Sequence, residues 1–167
     1  MDTLQFNKLL LRTAFASMAC DGEIEKREVK LIRKLHTENK TFGDVNIDEE
    51  LDKLLAEINK DGQQFLKDFF SKLKRAELTE SDELNLIEVA IEIIKADDKI
   101  EYNEIKFFKV IRSNLKINND SILEIYPELE NYLEQDVISN SYMSRLQNDF
   151  LDTLISNEFV FDENVLL

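Results

Sequence analysis

The chain has 167 residues, 43% hydrophobic and 34% charged, with a formal net charge of −14; this is a single-domain length with enough apolar material for one core. The negative charge argues against sequence-independent nucleic-acid binding, which needs clustered Lys and Arg to neutralise phosphate, and against docking on anionic membranes. Three Gly and one Pro leave few breakers for tight β-turns, so an all-α chain is expected.

The first helix is predicted to start after Asp2, with Gln5 as the second half of a capping box, and to end near Cys20, where Asp21-Gly22 permits a turn. Leu4, Leu11, Phe15 and Met18 mark its inward face, widened by Leu9, Leu10 and Ala14. Glu25 and Glu28 stand as N-cap and third-position partner of a second helix running to about Asn39, although Glu is a poor N-cap. Thr41 to Asn46 reads as a loop around Gly43. A third helix is expected from Asp48, with Leu51, Leu54, Leu55 and Ile58 inward. Asp61 with Gln64 opens a fourth, which buries Phe65, Leu66, Phe69, Phe70 and Leu73. Thr79 with Asp82 opens the fifth.

The fifth helix is the most apolar stretch, through Leu84, Leu86, Ile87, Val89, Ala90, Ile91, Ile93 and Ile94. Its polar residues Asn85, Glu88, Glu92 and Lys95 fall on one narrow stripe, which predicts a central helix surrounded by neighbours. Asp97-Asp98 ends it, and a sixth helix runs from about Tyr102 to Leu115. Further on, Asp120 is expected to cap a short helix and Pro127 to sit in the first turn of the next. Ser139 to Ile155 form one more candidate helix, and the stretch from Glu158 to Leu167 is extended or disordered.

One stretch occurs twice at a constant offset of 76 residues: Asp21 matches Asp97, Ile24 matches Ile100, Glu25 matches Glu101, Glu28 matches Glu104 and Lys30 matches Lys106. The apolar positions follow, from Leu10/Leu86 and Ala14/Ala90 through Val29/Ile105 to Leu35/Ile111. Such self-similarity predicts a compact bundle of about seven or more helices built on a duplicated helix-loop-helix unit.

Each acidic turn gathers carboxylates between two helices, a set of hard oxygen donors that suits calcium or magnesium. The spacing of Asp21, Gly22, Ile24 and Glu28 matches the latter part of an EF-hand loop. The first and third places of such a loop would fall on Ser17 and Ala19, and in the second copy on Ile93 and Lys95, with Asp98 replacing the turn glycine. A working EF-hand is therefore not expected. Two readings stand side by side: Glu28 and Glu104 as helix caps with Asp21 and Asp97 as turn formers, or the same residues capping and also binding an ion. Both would survive duplication equally.

The pair of units, the first reading Ala19-Cys20-Asp21-Gly22-Glu23-Ile24-Glu25 with Glu28, resembles the TerB-like family over about residues 4 to 125. That family includes the tellurite-resistance TerB proteins of bacteria and the N-terminal domain of a membrane-anchored DnaJ-like co-chaperone. The resemblance implies an all-α bundle whose acidic residues hold a divalent metal. Carried onto this chain, it points to Asp21, Glu28, Asp97 and Glu104, followed by Asp98, Glu25 and Glu101. Asp98 in place of Gly, with Lys99 beside it, departs from the pattern in the second copy. The implied ion is calcium, magnesium or manganese, ahead of zinc. Residues 1–125 are expected to form the TerB-like domain, and 126–167 a C-terminal extension packed on it or partly extended.

His36 has no second His or Cys beside it in the sequence and reads as a surface or half-buried residue. Cys20 precedes a carboxylate, which disfavours a thiolate. Phe65, Phe69 and Phe70 read as core, while Tyr126, Tyr132 and Tyr142 suit either packing or a partner surface. A single cysteine makes no internal disulfide, and Met1-Asp2-Thr3 lacks a basic leader flank, so a cytoplasmic home is expected, without direct membrane insertion. Three function classes follow in order. The first is a non-enzymatic, cation-binding stress-response or adaptor module. The second is an interaction domain whose acidic face meets a basic protein surface without an ion. The third is a metal-dependent hydrolase, for which no supported base or nucleophile is visible.

Overall fold

The computed structural model describes residues 1–20, 22–96 and 102–133. Within them lie eight α-helices and no strand: α1 (Thr3–Ala19), α2 (Lys26–Asn39), α3 (Ile47–Lys60), α4 (Gly62–Arg75), α5 (Glu80–Ile94), α6 (Tyr102–Ser113), α7 (Asn119–Ile125) and α8 (Glu130–Leu133), with a 3₁₀ turn at Pro127–Leu129. The candidate helix from Ser139 to Ile155, Tyr142 and the stretch from Glu158 lie outside the described residues.

Helix starts follow the capping chemistry of the sequence. Asp2 accepts the Gln5 backbone N–H at 2.8 Å, without the reciprocal Gln5 bond of the expected capping box, and Asp61 accepts that of Gln64 at 3.0 Å. Thr79 and Asp82 cap each other reciprocally, at 3.2 and 2.9 Å. Two starts differ from expectation. The third helix begins at Ile47, because Asn46 takes the Glu49 N–H at 3.1 Å. The seventh is capped by Asn118, which accepts from Ser121 at 2.8 Å and leaves Asp120 in the first turn.

The centre of the bundle is the pair α1 and α5, which pack closely against each other. In α5 the apolar residues Leu86, Ile87, Val89, Ala90, Ile91, Ile93 and Ile94 are buried, while Asn85, Glu88, Glu92 and Lys95 are exposed. In α1 every residue from Leu9 to Ala19 is buried. Polar members of this run are satisfied within the helix: Thr13 donates to the Leu9 carbonyl at 2.9 Å and Ser17 to that of Thr13 at 2.8 Å. Leu4 is a correction to the expected inward face; it is exposed, because burial of α1 begins only at Leu9.

The α3–α4 hairpin flanks α1. Arg12 pairs with Glu57 at 2.5 Å and Lys8 with Glu50 at 3.5 Å. Phe15 meets Phe65 edge-on, with ring centroids 5.7 Å apart. Phe69 then stacks on Phe107 of α6 at 6.4 Å, and Phe70 meets the same ring tilted, at 5.9 Å. The chain after α7 folds back, burying Leu129 and Leu133 and setting Tyr132 edge-on against Phe108 at 6.2 Å. No helix among the described residues is long and apolar enough to cross a membrane.

The directions of the helices follow from neighbouring residues. Arg27 and Lys30 of α2 lie beside Ala96, whereas Leu35 and Asn39, with Thr41 just after the helix, line one groove with Glu88 and Val89. So α2 runs antiparallel to α5. Asn7, near the start of α1, touches Gly43 just after α2, so α2 is antiparallel to α1 as well. Helices α1 and α5 are therefore parallel, and their C-terminal ends lie at the same end of the bundle.

Candidate functional site

The first acidic turn is built on the end of α1. Cys20 caps that helix and is buried, with its Sγ 3.1 Å from the Ser17 carbonyl oxygen. Gly22 donates to the Ala19 carbonyl at 3.1 Å and takes φ +92°, a conformation that costs glycine little. Ile24 packs partly buried against the core and ties the turn down.

Glu25 then caps α2. Its backbone N–H donates to Glu28 Oε2 at 2.8 Å, and its own side chain pairs with Arg27. This is the capping reading of Glu28, now observed. The same carboxylate is 5% exposed, as is that of Glu104. The two occupy equivalent places, the third residue of α2 and the third of α6. Glu104 stands close enough to Tyr132 that its charge adds to burial in raising the phenol above its usual range.

Of the predicted metal-binding residues, Glu25, Glu28 and Glu104 are thus placed, whereas Asp21, Asp97, Asp98 and Glu101 lie outside the described residues. No group of three or more His, Cys, Asp or Glu side chains arranged to hold a metal occurs among the described residues. Ser17, at the first place of an EF-hand alignment, is buried inside α1 with its hydroxyl donating to Thr13, which removes it as a ligand. His36 is half-buried and stacked on Phe42 at 6.3 Å. As donors, the acidic residues offer oxygen alone, in keeping with a hard cation.

The parallel course of α1 and α5 brings the borders of the two turns together. Ala16, Ala19 and Cys20 of the first unit adjoin Phe107 of α6. Ala96 of the second adjoins Arg27 and Lys30 of α2. Each unit's exit thus lies beside the other unit's second helix.

Sequence reasoning missed a third buried carboxylate, Glu83, which is 4% exposed in the first turn of α5. It accepts the backbone N–H groups of Lys116, at 3.0 Å, and Ile117, at 2.6 Å, pinning the segment after α6 to the start of α5. Seventy-six places earlier stands Asn7, which touches Gly43 after α2. The bonds of Glu83 have no counterpart among the described residues of the first unit, where the N–H groups of Lys40 and Thr41 go to the carbonyls of His36 and Leu35. The signal for Glu83 was a charged residue one turn from a strong cap, with no exposed stripe to hold it.

A family model described as tellurite resistance protein TerB matches residues 9–125. Comparisons with curated proteins and with solved structures give no match. The matched span starts where α1 becomes buried, contains both acidic units and ends with α7. The chain belongs to the TerB family.

Proposed function

We propose that this TerB-family chain is a non-enzymatic module that takes up a divalent cation at its acidic end and presents that end to a partner in a stress-response or adaptor role. The observation that carries this reading is the placement of Glu28 and Glu104. Both are buried carboxylates at equivalent positions of α2 and α6, beside turns that the parallel helices α1 and α5 deliver to the same end. Asp21, Asp97 and Asp98 would complete an oxygen donor set with them. Bringing so many carboxylates together costs repulsion, which calcium, magnesium or manganese would relieve. A basic protein surface would relieve the same repulsion without an ion, and this is the second reading.

Isothermal titration with each cation separates the two. Glu28→Gln is the informative variant, because an amide oxygen still accepts the Glu25 N–H while the charge is gone. Cation uptake by the parent chain, lowered in Glu28→Gln and lowered further with Glu104→Gln, supports the ion-binding reading. Uptake that is absent, or equal in parent and double variant, sinks it.

A further inference from the structure

A different site lies at the far side of α1. The groove between α1, α3 and α4 has a volume of about 570 Å³, within the range of pockets that hold small molecules (~300–1,000 Å³). Lys8, Arg12, Lys72 and Arg75 line it, against two carboxylates, Glu50 and Asp68. Both carboxylates are already engaged. Glu50 pairs with Lys8 at 3.5 Å and Lys53 at 3.8 Å, and Asp68 accepts from Gln64 Nε2 at 2.7 Å. Lys72 and Arg75 have no carboxylate within ion-pair distance among the described residues.

The C-terminal dipole of α4 accounts for Lys72 and Arg75 where they stand. It does not account for Arg12. That side chain comes from the middle of α1, and the residue is only 9% exposed. Its guanidinium sits 5.1 Å from the centre of the Phe65 ring and gives one N–H to Glu57 at 2.5 Å. Its remaining N–H groups have no protein acceptor among the described residues. A planar donor fork held rigid by an aromatic ring, with donors to spare, is the arrangement that grips carboxylate and phosphate oxygens. Ser71 and Gln5 add neutral polar groups, and Leu9 and Ala76 supply apolar wall.

We infer that this groove binds a small organic oxyanion, a carboxylate- or phosphate-bearing molecule, with Arg12, Lys72 and Arg75 as its anchors. Arg12 precedes Cys20 by eight residues of helix, about 12 Å along the axis. Oxyanion and cation would therefore occupy opposite parts of α1, and the two sites succeed or fail independently.

The test is an NMR titration of backbone amides in the full chain, with inorganic phosphate and separately with succinate. Sodium chloride holds the ionic strength constant and no divalent cation is added. At least one probe should give saturable shifts centred on Gln5, Arg12, Ser71 and Arg75. Lys72→Gln/Arg75→Gln should weaken its binding by at least about tenfold, a loss of ~1.4 kcal/mol. Both residues are exposed, so the variant should keep its helical circular dichroism. Shifts that fail to saturate with either probe, that follow the basic residues of α2 instead, or that are as strong in the double variant would overturn the proposal.

Discussion

Glu28 and Glu83 are both buried carboxylates that accept backbone N–H groups, and they should fail differently when changed. Glu28 serves its own helix start, so Glu28→Ala should cost about 1–2 kcal/mol and Glu28→Gln less than ~1 kcal/mol. Urea denaturation of the two variants checks the order, and an equal cost would mean that the charge, not the capping bond, holds the turn. Glu83 instead ties two distant parts of the chain. Glu83→Ala strips the Lys116 and Ile117 N–H groups of their acceptor and should cost about 3 kcal/mol. A loss below ~1 kcal/mol would show that water replaces the carboxylate. Residue by residue, the caps were legible because Asp, Thr and Glu at fixed spacing leave little else for the first turn of a helix to use. Asn118 was not separable from Asp120 by that rule. Glu83 anchors Lys116 and Ile117 just before Asn118, and that long-range contact settles where α7 begins.

Among the elements, α5 shows how far a pattern of side chains reaches. Asn85, Glu88, Glu92 and Lys95 fall on one stripe, and all four are exposed. Ala90, on the opposite side, is fully buried, so Ala90→Asp would bring an unpaired charge into the α1–α5 contact and should unfold the chain or nearly so. A melting temperature within a few degrees of the parent would remove α5 from the centre. Leu4 marks the limit of the same reasoning. Periodicity tells which side of a helix is apolar but not where its neighbours stop, and the first turn of α1, Thr3 to Gln5, lies outside the packing that begins at Phe6. A second test at this level concerns the return of the chain onto α5. Burial, then the charge and hydrogen bond of Glu88, with Glu128 and Glu92 adding to them, push the Tyr126 phenol up to about 12. The unfolded chain would lose that proton near pH 10. The folded chain therefore holds the extra proton between pH 10 and 12. Its contribution is fully present below pH 10 and is lost as pH rises toward 12. Phenolate absorbance of the parent minus that of Tyr126→Phe should give a transition near pH 12, and one at pH 10 would detach Tyr126 from Glu88.

For the molecule as a whole, the duplication was legible in sequence but its orientation was not. Two copies of a helix-loop-helix unit pack equally well with their central helices parallel or antiparallel, and no residue within either copy records the choice. The neighbours of α2 settle it, with Ala96 beside its first turns and Val89 beside its last. A parallel pair sets the C-terminal ends of α1 and α5 at the same end of the bundle, and the proposed shared cation site rests on that placement. Manganese is the direct probe, since it is an oxygen-seeking ion and its unpaired electrons broaden nearby amide signals. Substoichiometric manganese should broaden Gly22, Ile24 and Glu28 of the first unit and Ala96 and Glu104 of the second together, at the same loading, and calcium should reverse both. Broadening of one turn at a loading that leaves the other sharp, or no selective broadening at either, would contradict a shared site.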